Sequence, residues 1–252
     1  GLLCGDEAFM PVFSTKVAVY GQYEKNWYIQ KGLSKDRIVI TGHPRFDDIF
    51  TKKHMSNENF KKNCKIINNK KTLLCATQPF NASLWREALE SLAQQSNLNI
   101  LVKPHPCELS RTDKEGNKFI NNYIFFEKRY KTVKVISDRK LDLYDILNNV
   151  DGVVVINSTV GVEACLLKKP IFILDNKSVD FYRRMEGFIY SNPTELAKFI
   201  IKFFKDAELQ EIAEKKRIEF LDYAYPQKLS GHRLIEEINK LTGRKYQIQN
   251  KL

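Results

Sequence analysis

Several short polar segments of the chain carry side chains suited to holding a phosphate. Lys103-Pro104-His105-Pro106 sets a cation and an imidazole in a frame stiffened by two prolines, which limit the directions the ring can take. Lys103 and His105 are phosphate donors by type, and a histidine can also serve as general acid or base near neutral pH. In Asn157-Ser158-Thr159-Val160-Gly161-Val162-Glu163 two hydroxyls meet the start of a helical stretch. Ser158 or Thr159 either caps that helix or joins its free N–H groups in holding a phosphate. Gly161 lets a ligand or a neighbouring backbone come close. Glu163, about one turn in, suits a capping role or a hydrogen bond to a ribose hydroxyl. Thr77-Gln78 offers a hydroxyl and an amide to a base, sugar or phosphate, or makes an ordinary turn. Two further polar segments are Gly21-Gln22-Tyr23 and Thr41–Asp47, the latter containing Gly42 and His43. Asp47 reads as a helix cap or a partner of Arg45.

Other chemistries lack their residues. No Gly-x-Gly-x-x-Gly follows a strand candidate, and no phosphate loop ending in Gly-Lys-Ser/Thr occurs. The five cysteines (Cys4, Cys64, Cys75, Cys107, Cys165) and four histidines (His43, His54, His105, His232) are scattered, without a Cys-x-x-Cys pair. With no Asp-x-Asp cluster either, neither a metal nor a cofactor is expected. Odd, widely spaced cysteines fit reduced thiols in the cytoplasm.

The elements that must position these segments alternate. Strand candidates are Lys16–Tyr20, Arg37–Ile40, Thr72–Ala76, Ile100–Lys103, Thr132–Ile136, Gly152–Ile156 and Pro170–Leu174. Val153-Val154-Val155-Ile156 and Ile171-Phe172-Ile173-Leu174 are continuously apolar, as parallel strands covered on both faces are. Helical periodicity marks Ser83–Gln95, Thr159–Leu167 and Pro193–Lys205, the last opening on a proline. Thr51–Lys71 and Leu109–Thr132 are polar excursions. The alternation predicts an α/β fold with an open, mostly parallel Rossmann-like sheet. The tail, with helices over Ala207–Tyr223 and His232–Leu241, is all helical. In such a sheet ligands bind at the carboxyl ends of strands, where every polar segment above falls.

At 252 residues, with 43% hydrophobic and 12% aromatic side chains, the chain can bury a core and is not intrinsically disordered. No run of roughly 18 apolar residues occurs to span a bilayer. The formal charge of +11 lies largely in short runs such as Lys61-Lys62 and Lys215-Lys216-Arg217. These read as solvated faces, suited to phosphate-bearing ligands or an anionic membrane surface more than to nucleic acid.

Read in order, certain residues carry a resemblance. Val19-Tyr20-Gly21, Gly32-Leu33-Ser34-Lys35-Asp36-Arg37-Ile38-Val39-Ile40-Thr41-Gly42-His43-Pro44-Arg45-Phe46-Asp47, Ala76-Thr77-Gln78-Pro79, Val102-Lys103-Pro104-His105-Pro106 and Ile156–Pro170 follow one another. Together they resemble the C-terminal half of the GT-B superfamily, the UDP-glycosyltransferase and glycogen phosphorylase-like proteins. The nearest branch is the bacterial capsule and surface-polysaccharide biosynthesis proteins. Similarity to UDP-N-acetylglucosamine 2-epimerases and CDP-glycerol polymerising enzymes is more distant.

The resemblance implies a cell-envelope glycosyltransferase that takes a sugar from a CMP-, CDP- or UDP-linked donor to a glycan or lipid-linked acceptor. Thr77, Gln78, Lys103 and His105 would line the nucleotide and phosphate side, with Ser158, Thr159 and Gly161 at the phosphates. Gly42 and His43 would mark the loop where the donor domain's sheet begins. His105 and Glu163 would be catalytic, Glu163 holding a ribose or sugar hydroxyl. It also implies residues 1–15 as an interdomain segment left from a preceding acceptor domain, 16–205 as the donor domain and 206–252 as the helical tail. The absence of an initial Met fits such a half, which would bind without turnover when alone. The setting implied is the cytoplasm, with peripheral contact at the inner face of the cell membrane. Two other functions fit the residues: a 2-epimerase-like enzyme, disfavoured because Gly-Gly is absent at Ser158-Thr159, and a non-catalytic nucleotide- or glycan-binding domain.

Overall fold

The computed structural model describes residues 9–79, 81–95, 97–110, 112, 118–137, 141–174, 180–225 and 229–246. Residues 1–8 of the expected interdomain segment and 247–252 of the tail lie outside them. Two compact units are present: residues 1–53 with 218–252, and residues 54–217.

In the first unit β1 (Val17–Val19) leads into α1 (Gln22–Gln30), and β2 (Ile38–Ile40) pairs parallel to β1. A short α2 (Asp48–Thr51) follows. Val17, Val19, Ile38 and Ile40 alternate onto one face, and Tyr28, Trp27 and Leu33 pack there with Phe9, Met10 and Val12.

In the second unit α3 (Asn57–Cys64), β3 (Lys71–Ala76), α4 (Ala82–Ala93) and β4 (Leu98–Lys103) come first. Then follow α5 (Pro106–Ser110), α6 (Asn121–Arg129), β5 (Val133–Val135), α7 (Leu143–Asn149) and β6 (Gly152–Val155). Last come α8 (Val160–Leu166), β7 (Ile171–Leu174), β8 (Ile189–Tyr190) and α9 (Pro193–Phe203). The six strands form one parallel sheet in the order β5-β4-β3-β6-β7-β8. Leu73–Cys75, Ile100–Val102 and Val153–Val155 are fully buried, because helices cover both faces. On α4 the buried stripe is Trp85, Ala88, Leu89 and Leu92, with Leu84 only half-buried. It lies against α9, whose Leu196, Ile200 and Phe203 face inward beneath Asn192, the helix N-cap.

α10 (Ala207–Ala224) begins in the second unit and ends in the first, and α11 (Ser230–Thr242) lies in the first. Asp47 caps α11, its carboxylate accepting the N–H groups of Ser230 (2.7 Å) and Gly231 (2.8 Å).

The fold is the α/β, parallel, Rossmann-like one that the sequence predicts, and each of the seven expected strands is present with its ends within two residues. Three features differ from expectation. The first two strands make a sheet of their own and do not join the main one. An eighth strand, β8, is too short to leave a periodic trace. The units divide at residues 53/54 and 217/218, whereas the resemblance implies boundaries at 15/16 and 205/206. The reason is packing: Asp47, Gly42, Tyr225 and Ser230 are linked across 183 residues of sequence, which composition does not register.

Candidate functional site

The sheet order places β3 at a turning point. From β3 the chain adds β4 and β5 on one side, then returns to add β6, β7 and β8 on the other. The loops leaving β3 and β6 therefore diverge, and a crevice at their carboxyl ends is the ordinary ligand position in an open α/β sheet. Thr77-Gln78 leaves β3 there and Asn157-Ser158-Thr159 leaves β6. The Gln78 side chain spans the gap: its amide N–H donates to the Asn157 carbonyl, and its Oε1 accepts the Asn157 N–H at 3.3 Å. Gln78 thus uses both ends of its amide to lock two strand ends together.

Thr77 is also engaged. Its hydroxyl donates to Glu108 Oε2 (2.7 Å), the same oxygen that accepts the backbone N–H of His105 (2.7 Å). Tyr123, on α6, donates its phenol to Glu108 Oε1 (2.6 Å). Glu108 is itself 1% exposed, so one buried carboxylate joins the ends of β3 and β4 to a helix behind them. Burial, with the acceptor Glu108 next, pushes the Tyr123 phenol well up from its ordinary value, and it remains a donor. Sequence reasoning missed Glu108. Three residues beyond His105 in a polar stretch, it reads as a first-turn acid.

His105 is exposed, and its Nδ1 accepts the N–H of Cys107 at 3.2 Å. A backbone N–H only donates, so in the neutral ring the proton sits on Nε2, which remains free to donate. Lys103 closes β4, its carbonyl accepting the Thr77 N–H at 3.1 Å.

After β6, the Ser158 Oγ accepts the Val160 N–H at 3.3 Å and the Ser158 carbonyl accepts the Tyr182 hydroxyl. Thr159 is the residue before α8 and makes no side-chain cap. Gly161 has a steric reason to be glycine: a Cβ there would meet the Tyr182 hydroxyl at 2.2 Å. The close neighbour is a tyrosine side chain of the same unit. Glu163 faces inward at 2% exposure, and its charge is one of the causes that hold the Tyr182 phenol up, after burial itself.

The remaining two sequence-predicted residues belong to the other unit. Gly42 follows β2, with φ +78°, and a Cβ there would meet Ser230 Oγ at 2.4 Å. The six-stranded sheet begins later, at Lys71. His43 repeats the His105 device: its Nδ1 accepts the N–H of Arg45 at 3.1 Å ahead of Pro44. Burial lowers its pKa and favours the neutral ring.

The thiols Cys64, Cys75, Cys107 and Cys165 are free. Burial pushes Cys64 up to about 11 and Cys75 to about 12, which leaves both inert at neutral pH. Cys4 lies outside the described residues. Among the described residues no group of three or more His, Cys, Asp or Glu side chains could hold a metal ion. Among the described residues no helix is long and apolar enough to cross a membrane.

Comparison with known structures identifies the class of fold. The wall teichoic acid polymerase TagF matches over 92% of this chain and 59% of its own, with TM-score 0.57 at 18% identity. The S. aureus MnaA–UDP co-structure matches over 91% and 60%, with TM-score 0.66 at 11% identity. Anabaena Alr3699/HepE in complex with UDP-glucose matches over 90% and 64%, with TM-score 0.62 at 15% identity. The chain therefore shares the fold of these proteins, and it spans about three fifths of their length. More particularly, residues 74–182 match the family described as capsule polysaccharide biosynthesis protein, which bears out the resemblance read in the sequence. That span runs from β3 to Tyr182 and contains the whole strand-end cluster of the second unit. No curated protein matches.

Proposed function

We propose that the second unit binds the nucleotide of an activated sugar donor, and that the whole protein transfers that sugar to a surface polysaccharide or glycolipid. The observation that carries this reading is the joining of three strand ends at the turning point of the sheet. Gln78 locks β3 to β6, and Glu108 locks β3 to β4. His105 Nε2, Lys103, Ser158 and Thr159 are then the groups offered to a ligand. Their chemistry suits a departing phosphate: cationic and N–H or O–H donors stabilise the negative charge that grows as the glycosidic bond breaks. Thr77 and Gln78 act behind them as scaffold. Glu163, buried at 2% exposure, belongs with that scaffold rather than with the ligand-facing groups. Gly42 and His43, in the first unit, are proposed to serve the donor or acceptor side of the complete enzyme.

Support for a nucleotide-sugar comes from the fold class and from the capsule-family match across this cluster. The base, the sugar, the acceptor, a preceding acceptor domain, the absence of a cofactor and a cytoplasmic position beside an anionic bilayer are further parts of the proposal.

Calorimetric titration with CMP, CDP and UDP tests it. Micromolar binding of at least one, weakened tenfold or more in His105→Ala and Ser158→Ala, is the expected result. Folded protein that binds none of the three would refute the donor site. A second assay offers UDP-sugars and CMP-sugars to the complete enzyme with and without acceptor lipid. A converted sugar nucleotide in the absence of acceptor would instead establish epimerase chemistry.

A further inference from the structure

The carboxylate of Glu108 is buried behind the strand ends. Its three donors arrive from different elements: the hydroxyl of Thr77 after β3, the N–H of His105 after β4, and the phenol of Tyr123 on α6. Thr77 lies on the loop leaving β3 at the turning point of the sheet, and His105 on the loop leaving β4 beside it. A charge buried to 1% exposure is costly to desolvate, and a well-packed apolar side chain usually serves stability as well or better. A carboxylate placed there with its hydrogen bonds filled fixes geometry more than it adds stability.

What it fixes is the path of the His105 loop. The His105 peptide N–H is held at 2.7 Å by Glu108, and the imidazole Nδ1 is held at 3.2 Å by the N–H of Cys107. With backbone and ring both anchored, and Pro104 and Pro106 on either side, the directions open to the Nε2–H are few. We propose that Glu108 is a positioning residue that presets the Nε2–H of His105 toward the phosphate of a bound nucleotide. The inference rests on the nucleotide-binding reading of this site. Tyr123 completes the device from behind by filling the second oxygen of Glu108, with its phenol also beside the Thr77 hydroxyl.

The test compares Glu108→Gln with Tyr123→Phe. Gln keeps the volume but loses the charge and one of the acceptor oxygens. Phe removes the phenol's bond to Glu108 Oε1 and its contact with the Thr77 hydroxyl, and leaves the bonds that Glu108 Oε2 accepts from Thr77 and His105 in place. Nitrogen chemical shifts of the His105 ring, read by NMR without ligand, report the tautomer. The wild-type protein and Tyr123→Phe should hold a single Nε2–H tautomer, and Glu108→Gln should give an averaged signal. In calorimetry with CMP, CDP and UDP, Glu108→Gln should bind roughly tenfold more weakly, with Tyr123→Phe unchanged. An unaltered tautomer in folded Glu108→Gln would overturn the proposal. So would affinity losses in the two variants that merely follow their losses of thermal stability.

If the wild-type protein binds none of the nucleotides, the donor-site reading fails and the ring signal alone decides whether Glu108 orients His105. Should Glu108→Gln not fold, Thr77→Val cuts the same carboxylate from β3 and is read in the same two ways.

Discussion

At the scale of single residues, two positions make strong predictions because their environment conflicts with their chemistry. Glu24 in α1 is 6% exposed, and burial raises its pKa from 4.5 to about 7 despite the N–H it accepts from Gly21. A folded-state pKa above the unfolded one means that the folded protein holds the extra proton. The stability contribution is therefore complete below about pH 4.5 and is lost as pH rises through about 7. The span corresponds to about 3 kcal/mol. Urea unfolding at pH 5 and pH 8 should show the wild-type protein weakening across this interval and Glu24→Gln weakening much less.

Gly161 is the second such position. Adding a methyl group puts a carbon 2.2 Å from the Tyr182 hydroxyl, an overlap expected to cost about 1–3 kcal/mol. A double-mutant cycle is the check: Gly161→Ala should cost less in a Tyr182→Phe background, because the colliding oxygen is gone. Additive effects would mean that the strain lies elsewhere.

The same scale explains which site residues were legible in sequence. His105 and Lys103 stand out because a proline frame and a cation are local signals. Glu108 does not, because its partners Thr77 and Tyr123 lie 31 and 15 residues away and nothing in its own neighbourhood announces them. For Thr77 and Gln78 the sequence leaves open a ligand-lining role or an ordinary turn. Their hydrogen-bonding groups are in fact turned to Glu108 and Asn157, which follows from strand adjacency alone.

At the scale of elements, capping and core packing set the numbers. Asp47 holds the first turn of α11 through two N–H groups, so Asp47→Ala should cost about 0.5–2 kcal/mol in chemical denaturation. Asp47→Asn, which keeps one good acceptor, should lose less. On β7, Phe172 is fully buried, with edge-on ring contacts to Phe199, Phe203 and Phe204. Phe172→Ala should cost about 3–5 kcal/mol, the range for an aromatic lost from a close-packed core. A loss under 1 kcal/mol would show that α9 collapses into the space.

Elements were also where sequence reading was most dependable. The runs Val153–Ile156 and Ile171–Leu174 announce buried parallel strands, since only a strand covered on both faces tolerates continuous apolar side chains. The helix over Asn121–Arg129 was hidden inside a polar excursion. Only Tyr123 and Phe126 of it are buried, too narrow a stripe to register as periodicity.

At the scale of the whole molecule, ligand binding and folding are linked. A nucleotide that binds only the native protein should raise stability by about 2.7 kcal/mol at a concentration one hundred times its Kd. Differential scanning calorimetry at rising CDP or UDP concentration is the measurement, and an unmoved transition at saturating nucleotide would contradict the proposed site. The charge of +11 bears on the same scale: a net charge of this size acts on association with charged partners more than on the fold.

The sequence by itself determined the strands, the parallel α/β class and the polar character of the strand ends. These depend on side-chain type and short-range period, which the linear chain carries in full. Only the tertiary structure decided the strand order, and with it that β3 and β6 are neighbours where the order turns. It also separated the first two strands into a unit with α11 and made Glu108 the anchor of the His105 loop. Each of these depends on contacts between residues distant in sequence. Such contacts are fixed by the packing of whole faces, and no local window of the chain contains both partners.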